Sequence, residues 1–231
     1  MPITAVARNP HVTIPSAPVH GAREQCAVAT PPPAGQFHTG RRVGNRPESL
    51  PNWRLTDTTE EIAEAVARAF GGVPMTDGAL ADLITTSPVL PIVLDSADSV
   101  TTQFRLWGPK GLIHHCDGER FLSPSDRHGT VCGCPTAPDE RAALAKALQA
   151  PQPDTTVSFR LAGHRYLGRF EFRSPSRLFA DSAAEVRAQL AEAVGETRCE
   201  LALELITVPA TGGIELSFRT PRLTVVRPSA Q

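Results

Sequence analysis

One stretch of the chain, residues 107–135, concentrates the side chains that bind soft metal ions. Its sequence, WGPKGLIHHCDGERFLSPSDRHGTVCGCP, contains three of the five cysteines and three of the seven histidines. Structural zinc sites are closed tetrahedral shells of thiolate sulfur and imidazole nitrogen. A polar, turn-rich loop that buries little apolar surface can be stabilised by such an ion. The stretch therefore predicts a zinc-knuckle loop that holds one structural zinc ion.

The predicted ligands are three cysteines and one histidine: Cys116, Cys132, Cys134 and His115. Two of the cysteines can wrap one ion because the glycine between them relieves the backbone. The spacing is less diagnostic than a paired C-x-x-C motif, so the histidine has to be chosen among three. His115 is preferred, and His114 and His128 are the alternatives. The competing interpretation is a set of free buried thiols.

The chain has none of the common catalytic motifs that would accompany a reactive metal. It lacks G-x-S-x-G, H-E-x-x-H, the P-loop and G-x-G-x-x-G. A catalytic zinc keeps an open position, where Glu119 would act as the base for a bound water. The stretch does not match the deaminase signature, which needs H-x-E followed by P-C-x-x-C. We therefore expect a non-catalytic protein, and a zinc hydrolase is the least favoured interpretation.

Composition narrows the class of partner and the compartment. The 23 basic and 24 acidic residues give a formal net charge of −1, which argues against a protein that holds duplex DNA mainly through bulk charge. No apolar run is long enough for a transmembrane helix, and the first residues lack the apolar core of a secretory signal. Clustered cysteines fit a reducing compartment. These observations predict a cytoplasmic protein.

Periodicity and capping signals predict the elements that position this loop. Residues 1–36, rich in proline, alanine and threonine, predict a disordered arm. Asp57 and Glu60 predict the start of a helix that ends before Gly71. Strands are predicted over 80–85, 89–94 and 102–107, and Pro91 predicts an edge position for the second of them. An alanine-rich helix is predicted over 139–149.

The last third predicts the order strand, strand, helix, strand, strand. Apolar residues alternate over 157–161, 166–172, 201–205 and 214–218, and Tyr166, Leu216 and Phe218 are expected to face inward. Ser182 predicts the helix start, with Val194 on its buried side. The predicted fold class is α+β, a mostly antiparallel sheet with two or three covering helices. The predicted parts are the arm 1–36, an α+β part 37–150 with the loop, and a part 151–231 packed on it.

Two groups of arginines are candidate binding surfaces. The first group predicts contact with nucleic acid and consists of Arg41, Arg42 and Arg46. The second predicts a partner-binding face of the C-terminal sheet and consists of Arg160, Arg165, Arg169 and Arg173. The competing interpretation of the first group is a solvated loop. That of the second is cross-strand pairing with Glu200, Glu204 and Glu215.

An ordered series of motifs extends from about residue 35 to residue 226. G-R-R-V-G-N-R-P precedes a capped helix, and F-R-L-W-G, H-H-C-D-G, C-G-C-P, an alanine-rich helix and four strands follow. This series resembles the recombination directionality factors of phiC31-type actinobacterial phages. The most specific motifs are CDG at 116–118 and CGCP at 132–135. Relatives often carry one more cysteine before CDG and one after the alanine-rich helix. This chain lacks both cysteines, so a histidine is expected as the fourth ligand.

The resemblance implies a regulator without chemistry of its own. It implies binding to a phage large serine integrase, at the coiled-coil region, and a switch from attP × attB integration to attL × attR excision. DNA would be reached only through the integrase complex, in the cytoplasm of a phage-infected or lysogenic bacterial host. Neither a membrane nor a small-molecule substrate is expected. The alternative is a zinc-containing nucleic-acid-binding protein of phage DNA metabolism.

Overall fold

The computed structural model describes residues 31–147, 149–209 and 215–226. The helices are α1 (Glu60–Phe70), α2 (Pro138–Lys146) and α3 (Arg177–Glu192). The strands are β1 (Gly35–Val43), β2 (Arg46–Thr58), β3 (Met75–Asp77), β4 (Leu80–Ile84), β5 (Val89–Leu94), β6 (Val100–Gly108), β7 (Gly111–Cys116), β8 (Phe121–Ser123), β9 (Gln152–Leu161), β10 (Phe170–Ser174), β11 (Thr197–Pro209) and β12 (Glu215–Val225). The predicted arm lies outside the described residues up to residue 30, and β1 begins within its last two residues. Within the described ranges, no helix is both long and apolar enough to cross a membrane.

The strands in the described ranges join into one mostly antiparallel, twelve-stranded sheet. Along its main path the order is β12-β11-β5-β9-β10-β1-β2-β4-β3, and the meander β6-β7-β8 branches from β9. β1 and β10 pair in parallel, a pairing that alternation alone does not predict. The α+β class is confirmed, with three helices in the part of the chain that is described. Strands from 37–150 and 151–231 alternate along the path, so the two stretches share one sheet.

An aromatic cluster lies at the centre of the core. Six side chains with at most 2% exposure form it: Phe37, Trp53, Phe159, Phe170, Phe172 and Phe179. The Trp53 ring meets Phe172 edge-on, with centroids 5.0 Å apart. Its indole N–H donates a hydrogen bond of 2.9 Å to the Pro88 carbonyl, which satisfies the polar end of a buried ring. Helix α1 packs against β4 and β2, and α3 packs against β12 and β9.

Several predicted element ends are wrong. Helix α1 is capped by Thr59 rather than Asp57, because β2 continues to Thr58. Helix α3 begins at Arg177 and is capped by Ser176, so Ser182 lies inside the helix. Tyr166 does not face inward but is 76% exposed, because residues 165–167 form a 3-10 turn instead of a strand. Val194 lies beyond the end of α3, outside its buried side.

Pro91 does not mark a sheet edge, because β5 lies between β11 and β9. The N and C=O of a strand residue point to the same neighbouring strand. The Pro91 carbonyl accepts a hydrogen bond from Ala162, so its missing N–H also faces that side. Strand β9 ends at Leu161, just before this point. The proline therefore costs at most one hydrogen bond, the reciprocal one to Ala162 at the end of the β5–β9 pairing.

Two hairpins extend beyond their neighbouring strands. The first, the basic ribbon, comprises residues 40–49 at the β1–β2 turn. The second, the apolar arm, comprises residues 204–209 of β11 and 215–220 of β12, beyond the segment of β11 that pairs with β5. Leu216 and Phe218, which were predicted to face inward, are 55% and 45% exposed on this arm. That prediction is wrong because the register places Leu216 and Phe218 on the face of β12 that carries Arg222, opposite the face of the buried Leu223.

Candidate metal centre

The structure brings four of the candidate metal ligands together: His114, Cys116, Cys132 and Cys134. Their ligand atoms all lie within 4.8 Å of one another. Cys134 Sγ is 3.7 Å from Cys116 Sγ and 3.5 Å from His114 Nε2. A tetrahedral zinc shell with Zn–S bonds of about 2.3 Å has S–S edges of about 3.8 Å and S–N edges of about 3.6 Å. Both observed separations match these edges, so the group can hold one zinc-sized ion.

The alternation of β7 decides which histidine joins the cysteines. His114 and Cys116 are two residues apart and share one face, while His115 lies on the opposite face. Both ring nitrogens of His115 are engaged there, Nδ1 with Ser123 Oγ and Nε2 with Gln103 Oε1, each at 2.9 Å. The preferred ligand is thus outside the group, and the alternative His114 is inside it. His128, the other alternative, is exposed and also lies outside.

Backbone hydrogen bonds hold residues 130–132 beside residues 119–121, so the second half of the loop lies against the first. The Phe121 N–H donates to the Thr130 carbonyl at 2.9 Å, and the Cys132 N–H donates to the Glu119 carbonyl at 2.8 Å. Gly133 then adopts a positive φ of 72°, a conformation that glycine takes without strain. This turn directs both Cys132 and Cys134 towards His114 and Cys116 on β7.

Without a metal, electrostatics at the site favour a neutral imidazole and protonated thiols. Burial lowers the pKa of His114, and the nearby charges of Arg127 and His115 lower it further. Its ring nitrogen is therefore free to bind a metal at neutral pH. Burial raises the pKa of the Cys116 thiol and also that of Cys134. A bound metal would replace those protons, as it does in thiolate sites generally.

The turn after Cys116 is held by the carboxylate of Asp117. Its Oδ1 accepts hydrogen bonds from the backbone N–H groups of Glu119 at 2.8 Å and Arg120 at 2.7 Å. The Arg120 and Glu119 N–H groups hold the pKa of Asp117 below its usual range. Gly118 within the turn has a positive φ of 107°. The carboxylate thus fixes the chain reversal that leads from the first cysteine into β8.

Asp117→Asn is expected to remove a pH-dependent part of the stability. Because the folded-state pKa is lowered, the contribution is complete above the unfolded value of about 3.9 and is lost as pH falls through the folded value. The wild type should therefore melt above the variant at pH 5 to 7, and the two should converge as the pH falls below the lowered folded-state pKa of Asp117. Thermal scans of metal-free protein measure this difference. A constant gap across the whole range would contradict the role of the carboxylate charge.

Arg141, which no sequence signal marked, ties the end of the loop to the rest of the fold. Its Nε and Nη2 donate to the Pro135 carbonyl at 3.0 Å and 2.7 Å. Its guanidinium lies over the Phe104 ring, 4.5 Å from the centroid. The residue therefore links the loop after Cys134 to both α2 and β6. Its partners are a main-chain oxygen and a distant ring, neither of which a local pattern identifies.

The second arginine group is engaged in ion pairs. Arg160 contacts Asp95 at 2.5 Å and also Glu196, and Arg169 contacts Asp95 at 3.2 Å. The remaining two pairs are Arg165 with Glu196 and Arg173 with Asp154. These carboxylates differ from the three glutamates that the sequence suggested. Three carboxylates serve these four arginines, and Asp154 also pairs with Arg105, so the positive charge of this face is only partly offset within the protein. Its role in partner binding stays a prediction.

Together, the fold and the site define an α+β protein in which a branch of one large sheet carries a Cys₃His group. A family model described as "Gp3-like: Recombination directionality factor-like" matches residues 34–224, which include all four members of that group. The chain belongs to this family of recombination directionality factor-like proteins. No solved structure matches the chain. Membership supports a role in site-specific recombination with a recombinase as partner, and it suggests a regulator rather than an enzyme.

Proposed function

We propose that this protein binds a phage large serine integrase and switches it from attP × attB integration to attL × attR excision in the bacterial cytoplasm. The observation that carries this proposal is the family match over residues 34–224. The net charge of −1 supports a protein partner over independent recognition of DNA.

The proposed mechanism is differential binding. A regulator shifts a two-state equilibrium only by the difference between its affinities for the two states. The protein would bind the excision-competent arrangement of the integrase coiled-coil arms more tightly than the integrative one. A preference of about 3 to 5 kcal/mol largely reverses the outcome. No covalent step by this chain is required.

The apolar arm supports contact with a protein. Ile206 faces Phe218 across the two strands and Val208 faces Leu216, so these four residues share one face. Val208 is 38% exposed, in addition to the exposed Leu216 and Phe218. A contiguous exposed apolar surface marks a protein interaction site more often than it serves the monomer. We propose the arm as the surface that meets the apolar positions of the integrase coiled coil.

We further propose that the metal is a structural zinc ion, held by His114, Cys116, Cys132 and Cys134. The Cys₃His donor set and the 3.7 Å and 3.5 Å separations fit a closed tetrahedral shell. When bound, zinc would supply cross-linking between β7 and the returning chain, and four protein ligands leave no position for a reactive water. The zinc would then keep the loop folded and take no part in a reaction.

The double variant Leu216→Ser/Phe218→Ser is expected to lower stimulation of attL × attR recombination at least about tenfold, because two apolar contacts of the proposed interface are lost. The measurement is recombination of attL and attR DNA by purified cognate integrase with increasing amounts of this protein. The matched control is Val73→Ser/Val194→Ser, which removes two other apolar side chains of 80% and 104% exposure. Equal stimulation by both variants would contradict the arm as the docking surface, and absence of stimulation by the wild type would contradict the proposed function itself.

A further inference from the structure

The basic ribbon projects from the sheet without packing on the body of the protein. Strand β10 pairs with β1 only from Gly35 to Phe37, and β4 pairs with β2 only from Arg54 onward. Every residue from Arg41 to Ser49 is exposed. Among the described residues, the ribbon therefore has no strand on either side, and neither of its faces contributes to the core.

The local backbone makes the ribbon a defined element. The pairing register shifts between His38 and Gly40, where the ribbon begins. A Cβ atom on Gly40 would lie 2.5 Å from the Glu48 carbonyl oxygen, so the two strands approach at a distance that only glycine permits. At the tip, Gly44 has a positive φ of 59° and forms with Asn45 a two-residue turn between Val43 and Arg46. The ribbon is thus built as a tight hairpin.

Three arginines and a single glutamate supply the charge of the ribbon. Arg41 Nε donates to Glu48 Oε2 at 2.7 Å, so one positive charge is matched. Arg42 and Arg46 have no carboxylate partner among the described residues. Residues directly opposite each other on paired strands share a face. Arg46 lies opposite Val43, and Arg42 lies opposite Pro47 on the reverse face.

We propose that the basic ribbon contacts duplex DNA through Arg42 and Arg46. A two-stranded ribbon fits the major groove of B-form DNA, and arginines on both faces suit a polyanion that surrounds the ribbon. An acidic protein surface would meet one face, and a protein interface core would need more apolar area than Val43 supplies. The contact is electrostatic and independent of base sequence, so it positions the protein on the duplex.

This inference deepens the proposed function, since the duplex would be the one on which the integrase acts. The modest charge of the ribbon is consistent with a secondary contact to DNA that the integrase already holds. Two or three phosphate contacts give weak binding by themselves, with a Kd on the order of 10⁻⁴ to 10⁻⁶ M at physiological salt. Weak DNA contact contributes most when the partner already holds the protein beside the duplex, because the local concentration of DNA is then high. The near-neutral net charge of the whole chain is consistent with a main contact to protein and a weak contact to DNA.

The test is fluorescence anisotropy of a labelled 30-base-pair duplex of arbitrary sequence, titrated with the full chain at about 50 to 200 mM salt. Arg42→Ala/Arg46→Ala should flatten the slope of log K against log salt by about 2. The wild type should accordingly lose about twelvefold more affinity than this variant over that range. Glu48→Gln, which frees Arg41, should steepen the slope by about 1. The matched control is Arg187→Ala/Arg198→Ala, which removes the same charge from other exposed positions.

These outcomes test DNA contact by the ribbon and do not depend on whether the protein switches the direction of recombination. Loss in the ribbon variant alone, with unchanged thermal unfolding, supports DNA contact. Equal loss in ribbon and control variants overturns it in favour of bulk charge, and so does a wild type that does not bind at low salt. A pull-down of purified integrase without DNA tests whether the ribbon binds an acidic protein surface rather than DNA. If the ribbon variant fails there while its DNA binding is intact, the ribbon serves an acidic protein surface instead.

Discussion

Cys116→Ser is expected to abolish stoichiometric zinc binding and to lower the melting temperature by roughly 6 to 12 °C. Cys116 is fully buried at the end of β7, so no exposed side chain can take its place. Structural zinc contributes several kcal/mol to folding. A loss of about 3 kcal/mol corresponds to that shift in a chain of this size. Metal analysis after gel filtration and thermal scans with and without a chelator measure both effects.

The adjacent histidines provide the matched control for this prediction. His114→Ala should lose the metal, because its Nε2 faces Cys134. His115→Ala should retain it, because both of its ring nitrogens bind other side chains. The reverse pattern, with zinc retained in His114→Ala and lost in His115→Ala, would show that the ligand shell uses the other face of β7. Equal metal content in all three variants would contradict a metal site at this position.

Trp53→Ala is expected to destabilise the fold by about 3 to 5 kcal/mol, the range for removing a large aromatic side chain from a core. Trp53 has no exposed surface and contacts Phe37 and Phe172 edge-on. The variant also leaves the Pro88 carbonyl without its donor, which has its own cost. Chemical denaturation followed by circular dichroism, with a fixed slope, gives the free energy of unfolding.

Trp53→Phe separates the two parts of that effect. It keeps most of the ring but removes the N–H that reaches Pro88. We expect it to cost about 1 to 3 kcal/mol, less than the alanine variant. If both variants unfold at the wild-type midpoint, the cluster around Trp53 does not form the centre of the core.

The fold class and many elements follow from local patterns. Residues 157–161 alternate strictly, and β9 buries alternate side chains along its whole length. Val186 and Leu190 lie on the buried side of α3, as their spacing predicts. The order of strands does not follow, because β5 is inserted between β9 and β11 and β1 pairs in parallel with β10. Such pairings depend on contacts between distant segments, which periodicity does not encode.

The candidate metal site likewise follows in part from local sequence patterns and in part from contacts between distant segments. The sequence marks the three cysteines as candidate ligands because they lie in one short stretch, two of them on either side of Gly133. The choice between His114 and His115 depends on which face of β7 meets the returning chain, and the 119–132 and 121–130 hydrogen bonds determine that face. Likewise, Leu216 and Phe218 alternate like core residues, yet they are exposed because the β11–β12 register places them on the face opposite the buried Leu223. Alternation predicts a shared face but not what covers it.

The most direct test of the proposed role is a comparison of both recombination reactions under one set of conditions. Purified cognate integrase is given attP with attB, or attL with attR, with and without a saturating amount of this protein. Differential binding predicts that the ratio of excision to integration products rises at least about a hundredfold when the protein is added. An unchanged ratio, with either both reactions stimulated equally or neither affected, would contradict the claim that the protein sets the direction of recombination.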